Sequence, residues 1–246
     1  MKKLLVTGGF GKIARYFIQN HYHQYKITAA DIVVKDGVFN DNVQVEKVDL
    51  RDAERCLELC EGIDTVIHFA GMVDPVSESD EILEVNIKTT QNIFKAAVTQ
   101  NCKRLIFASS AQTIESYPTD VQVHKNMLVK PKNLYGVSKC FGEALAAYYA
   151  NNKAISAISL RIGAYEFPED FTEMNARDLS AYLHPDDFNQ LLVGCIETKN
   201  IKHEVFNAIS DNRYKRLDIT EALEKVGYQP KADGFELFAL KVEQRF

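Results

Sequence analysis

The sequence predicts an α/β fold, a doubly wound parallel sheet with a small C-terminal cap. Three observations carry this. Short apolar runs rich in β-branched residues alternate with longer amphipathic stretches over the first two-thirds of the chain. Several of these runs lack polar alternation, as strands covered on both faces do. The first run leads directly into a glycine-rich turn and a helical pattern.

Taken in order, strands are expected at Leu4–Thr7, Ile27–Ala30, Val43–Val48, Thr65–Phe69, Leu105–Ala108 and Ile155–Leu160. The helical spacing of Ile82, Val85, Ile93 and Ala97, and later of Val137, Phe141, Leu145 and Tyr148, supplies crossovers between them. Asp36-Gly37 marks a turn after the second strand, and Tyr117-Pro118 opens a long polar loop after the fifth. The 86 residues beyond Leu160 show a looser pattern, with short helices expected near Pro185–Val193 and Ile219–Lys225 and a strand near Val205–Ile209. The expected organisation is a dinucleotide-binding core over 1–160 and a small substrate cap over 161–246, integral to the same domain.

Composition narrows the function classes. With 246 residues and 46% hydrophobic residues the chain can bury a sizeable core. A net charge of -5 without a basic stripe argues against a nucleic-acid partner. Five cysteines, an odd number without a CxxC pair, fit a reducing cytoplasm and predict neither a disulfide framework nor a metal site. No apolar run is long enough for a signal peptide or a membrane span.

The chemistry starts at Thr7-Gly8-Gly9-Phe10-Gly11-Lys12-Ile13-Ala14. Glycines here let the backbone turn tightly against a pyrophosphate, while the helix beginning near Lys12 and Ile13 offers amides and the positive end of its dipole. Asp31, at the end of the second strand, is placed to accept hydrogen bonds from a ribose and to repel a 2′-phosphate. The next cation is Lys35, so NAD is preferred over NADP. Phe69-Ala70-Gly71 closes the fourth strand with small residues that let the chain pass a dinucleotide, and His68 reads as a packed strand histidine. The fifth strand ends in Ser109-Ser110, and Tyr135 and Lys139 stand at i and i+4 on one helical face. A tyrosine becomes a useful base only where a cation stabilises its phenolate.

Together these motifs resemble the extended short-chain dehydrogenase/reductases with their TGxxGxxG/A turn. The blocks Leu134-Tyr135-Gly136-Val137-Ser138-Lys139-Cys140-Phe141-Gly142-Glu143, Leu160-Arg161-Ile162-Gly163, Arg177-Asp178-Leu179-Ser180 and Gly227-Tyr228-Gln229-Pro230-Lys231 are most similar to bacterial NAD-dependent uronate dehydrogenases. The resemblance implies that Ser110 holds the reacting oxygen, Tyr135 takes its proton, and Lys139 binds the nicotinamide ribose and tunes the tyrosine. It also implies cofactor contacts from Asp49, Leu50 and Asn86, and a carboxylate clamp at Arg177. Homodimerisation is implied through the helices around Ile82–Phe94 and Val137–Tyr149.

The substrate positions match only in part. The family's Ser-Asn-His run is Ser110-Ala111-Gln112 here, and serines are replaced by Ala164 and Val73. The stretch from Tyr165 to Asn175 is longer than the family's. The expected function is NAD-dependent oxidation of a small sugar acid at a hydroxyl carbon. The alternatives are a nucleotide-sugar epimerase or reductase, which normally carries a larger cap, and a non-catalytic dinucleotide sensor.

Overall fold

The computed structural model describes residues 1–73, 80–170 and 174–243, with side chains up to 238. Seven strands form one sheet, all neighbours parallel: β1 (Lys3–Thr7), β2 (Lys26–Asp31), β3 (Gln44–Lys47), β4 (Thr65–His68), β5 (Arg104–Ser110), β6 (Ser156–Ile162) and β9 (His203–Ala208). Their spatial order is β3-β2-β1-β4-β5-β6-β9. The order reverses between β1 and β4, and such a switch point opens a crevice at the carboxyl ends of the strands. The central strands are buried along almost their whole length, which is why their sequences do not alternate.

Helices α1 (Lys12–His21) and α6 (Pro185–Glu197) cover one face of the sheet. On the other lie α2 (Ala53–Leu59), α3 (Asp80–Thr99) and α4 (Leu134–Asn152). Side-chain caps set several starts. Asp52 accepts from the amides of Glu54 and Arg55 at α2, and Asn133 from that of Gly136 at 2.7 Å at α4. Cys56 and Cys60 are fully buried, and all five cysteines are free.

The chain beyond residue 160 is divided differently from the expectation. The boundary falls inside β6, and β9 continues the main sheet, because Phe206 and Ala208 are apolar enough to be buried there beside β6. The cap proper is smaller. It holds a two-stranded parallel pair, β7 (Ala164–Tyr165) and β8 (Tyr182–Leu183), with α5 (Ala176–Ser180) and α8 (Gly234–Glu243), while α7 (Thr220–Val226) packs on α6 and β9. Helix α8, not expected from the sequence, docks Phe238 edge-on to Tyr182 at 5.2 Å. The long segment between Tyr165 and Asn175 includes residues 171–173, outside the described residues.

Helix α4 is bound to the sheet by a buried ion pair. Arg161 of β6 donates from Nε and Nη2 to the two carboxylate oxygens of Glu143, at 2.9 and 2.8 Å. The Ser109 hydroxyl of β5 donates to Glu143 Oε1 at 2.6 Å. Losing one member would leave a buried charge uncompensated, at a cost of about 3–5 kcal/mol. Among the described residues no helix is long and apolar enough to cross a membrane, and no cluster of His, Cys, Asp and Glu could hold a metal ion.

Candidate active site

A cleft of about 1010 Å³ lies over the carboxyl ends of the strands at the switch point. At one end is the glycine turn. Gly8 has a φ of +68°, and a Cβ there would sit 2.7 Å from the amide nitrogen of Ala70. Only glycine lets β1 turn this close beside the strand-end loop Phe69-Ala70-Gly71. Helix α1 begins at Lys12 with no acidic residue in its first turn and no side-chain cap, so its first amides keep their capacity for an anion.

Asp31 stands beside this turn. Its Oδ2 accepts from the Phe10 amide at 3.0 Å and its Oδ1 from that of Val33 at 3.1 Å. A carboxylate oxygen carries two acceptor sites, so each retains one for a ribose hydroxyl. Asp49 and Leu50 line the same wall. Arg51, unforeseen from sequence, grips the Asp49 carboxylate from Nε and Nη2 at 2.6–3.0 Å, and this hydrogen bonding holds the carboxyl below its ordinary range.

The proton-handling groups converge at the centre. Ser110 ends β5, and its Oγ accepts from the Gln112 amide at 3.2 Å where the chain enters a short 3-10 turn, Ala111–Ile114. Tyr135 lies in the first turn of α4. Burial pushes its pKa up to about 12, opposed by the neighbouring Ser110 hydroxyl. Lys139, one turn further, is buried with its Nζ 5.4 Å from the centre of the Tyr135 ring, donating to the Ala108 carbonyl at 2.8 Å. Burial pulls its pKa from an ordinary 10.5 down to about 8. His68 beneath them is fully buried between the Thr7 and Thr90 hydroxyls, at 2.7 and 3.2 Å. Its pKa falls to about 3 through burial and the nearby Lys139, as suits a packed neutral histidine and not a catalyst.

The far end of the cleft is lined by Val73, Ala111, Gln112, Ala164 and Arg177. Arg177 is not a free clamp. It donates from Nε to Glu115 Oε1 at 2.9 Å, from Nη2 to Glu115 Oε2, and from Nη1 to Asp178 Oδ1 at 2.8 Å. Lys12, besides opening α1, contacts the Glu166 carboxylate and lies 3.3 Å from Asp170, closing the mouth between α1 and the cap.

Of the residues singled out in the sequence, one lies apart from the cleft wall. Asn86 is buried on α3, and its amide bonds to the loop after β4 and to α4. Oδ1 accepts from the Met72 amide at 2.7 Å, while Nδ2 donates to the Met72 carbonyl at 3.0 Å and to Ser138 Oγ at 3.1 Å. Its position ties the loop after β4 to α4, with Oδ1 facing Gly71 of the cleft wall. The roles of Glu115, Asp178 and Arg51 were not expected from the sequence. The signal available was weak: a carboxylate next to Arg177, a cation two residues after Asp49, and nothing linking Glu115 to Arg177.

The residues fit a dinucleotide. The glycine turn is a cradle that a Cβ would fill, the helix start retains its donors, and an acceptor carboxylate stands at the strand end where a ribose would lie.

Comparison with known proteins agrees with this geometry. The profile of the NAD dependent epimerase/dehydratase family matches residues 4–185. Uronate dehydrogenase of Pseudomonas syringae is 34% identical over 244 residues, covering 98% of this chain and 86% of its own. The L-arabinose 1-dehydrogenase (NAD(P)(+)) of Haloferax volcanii is 31% identical over 251 residues, 94% and 97% of the two chains. A structure of a uronate dehydrogenase variant from Agrobacterium tumefaciens complexed with NAD superposes with a TM-score of 0.90 at 29% identity, covering 100% of this chain and 90% of that one.

Proposed function

The chain belongs to the NAD dependent epimerase/dehydratase family, and on that footing we propose that it oxidises a small sugar acid at a hydroxyl carbon with NAD. The observation that carries this is the meeting of Ser110, Tyr135 and Lys139 in one cleft with the glycine turn and Asp31. NAD, when bound, supplies the hydride acceptor. Gly8, Gly11 and the start of α1 at Lys12 and Ile13 would hold its pyrophosphate. Asp31 would take the adenine-ribose hydroxyls, and its charge would exclude a 2′-phosphate.

The chain's own residues manage the proton. Ser110 holds the substrate oxygen by its hydroxyl, and Tyr135 Oη receives the proton as the carbon is oxidised. The Lys139 ammonium favours the phenolate. Its Nζ lies 5.4 Å from the centre of the tyrosine ring. The same ammonium keeps two donors beyond the Ala108 carbonyl for the cofactor ribose. The cap residues Ala164 and Arg177 would enclose the sugar with Val73, Ala111 and Gln112.

Two further features belong to this reading. Val137, Phe141, Ala144 and Tyr148 form an i, i+4, i+7, i+11 stripe along α4, with Val137 41% and Tyr148 53% exposed. This face, beside α3, supports a homodimer. The free thiols support a cytoplasmic enzyme.

The test is direct. Purified protein with NAD and a panel of hexuronates, aldonic acids and UDP-sugars should form NADH with a hexuronate. Silence across the panel would overturn the sugar-acid assignment, and tight binding of NADH without turnover of any carbonyl or alcohol would leave a dinucleotide sensor.

A further inference from the structure

We propose that Glu115 is a specificity-determining residue. By holding Arg177 in a neutralised ion pair, it lets the substrate end of the cleft accept a neutral aldose as well as a sugar acid. The inference rests on the dehydrogenase reading above and concerns which sugars that site admits.

A guanidinium recognises a carboxylate best through a bidentate edge. In Arg177 the Nε/Nη2 edge is occupied by both oxygens of Glu115, and Nη1 is engaged by Asp178. One N–H on each Nη remains. The pair is partly desolvated, with side-chain exposures of 20% for Arg177 and 14% for Glu115, so it is not a loose surface contact.

The surrounding charges do not restore a cationic site. Arg216 interacts with Glu115 and Arg177, and donates to the carbonyls of Tyr117 and Pro118 at 2.9 and 3.1 Å. Two guanidinium groups thus face two carboxylates, and the cluster carries no net charge. Of the four cations among the described residues that line the cleft, Lys12, Arg51 and Arg177 each already hold a carboxylate, and Lys139 is the buried partner of Tyr135. An anionic substrate therefore meets a site whose positive charge is offset by its own acids.

A sugar hydroxyl makes the opposite demand. It accepts one hydrogen bond and donates another, and the Arg177–Asp178 pair at the cleft wall offers a donor beside an acceptor. A hydroxymethyl group can use both. A carboxylate can use only the donor, and it is repelled by Asp178 and Glu115.

Galacturonate and galactose differ only in whether C6 is a carboxylate or a hydroxymethyl group, so they isolate this end of the cleft. With NAD, the wild-type protein should show kcat/KM values for the two within about tenfold of each other. Glu115→Gln keeps the side-chain length while removing its charge. It should raise the acid-to-neutral ratio at least fivefold, chiefly through a lower KM for galacturonate. Calorimetric binding of both sugars to the wild-type protein with NADH gives the same comparison without turnover or a variant. An acid preference above tenfold in both wild-type measurements, or an unchanged ratio in Glu115→Gln, overturns the proposal and leaves the dehydrogenase standing. Neither turnover nor binding of either sugar overturns the two together.

Discussion

At the scale of single residues, burial acts on Tyr135 and Lys139 in opposite directions. It discourages charge on both, raising the tyrosine to about 12 and lowering the lysine to about 8. The first of their two protons leaves near the lower value. The base is the part of that one-proton state in which Oη is the phenolate and Nζ keeps its proton. Oxidation should therefore quicken as pH rises through about 8, and a kcat/KM profile that is flat across that region would contradict the assignment. Tyr135→Phe keeps the ring and removes only the hydroxyl. It should lower kcat by about 10²–10⁴-fold while calorimetry still detects NADH binding. The tyrosine and lysine were legible in the sequence because a four-residue spacing puts them on one helical face. The partner of Arg177 was not, because Glu115 is 62 positions away in sequence and only the fold brings it near.

At the scale of elements, α4 is pressed against β5 through a missing side chain. A Cβ at Gly142 would stand 2.2 Å from Cζ of Phe107 and 2.3 Å from its Cε1. The ring of Phe107 also lies under Lys139, with Nζ 5.0 Å from its centre. The gap at Gly142 therefore sets how near the start of α4 comes to the end of β5, and with it the meeting of Tyr135 and Ser110. Gly142→Ala should destabilise the protein by about 1–3 kcal/mol, the usual range for overpacking. Denaturant unfolding would measure that loss, and kcat should fall in the same variant. Unaltered stability and turnover would show that the helix seat tolerates a methyl group. The principal strands and helices were readable from their periods, within a few residues. The pair β7 and β8 was not, since two-residue strands have no period. The ion pair of Glu143 with Arg161 lay inside quoted motifs, yet nothing in sequence joins them until β6 lies beside β5.

At the scale of the whole molecule, the apolar stripe on α4 is the feature that a solitary protomer leaves exposed. Light scattering should give the mass of a dimer, and Val137→Glu, which puts a charge in the stripe, should shift it toward a monomer. A monomeric wild-type protein would remove the proposed face. The doubly wound class was legible because the strands announce themselves as buried on both sides. The extent of the cap was not, because β9 has no local mark that distinguishes a sheet strand from a cap strand. The all-parallel sheet also bears on how the protein comes into being. Its central registers join Thr7 to His68, Phe107 to Ser159 and Arg161 to Asn207, so no two paired strands are hairpin neighbours. Each pairing closes a loop that includes its crossover, and ordering that loop precedes any reward from the contact. Since the cleft is made from the ends of several such strands, it assembles late on the route from unfolded chain to native protein, and recovery of cofactor binding during refolding marks completion of the sheet.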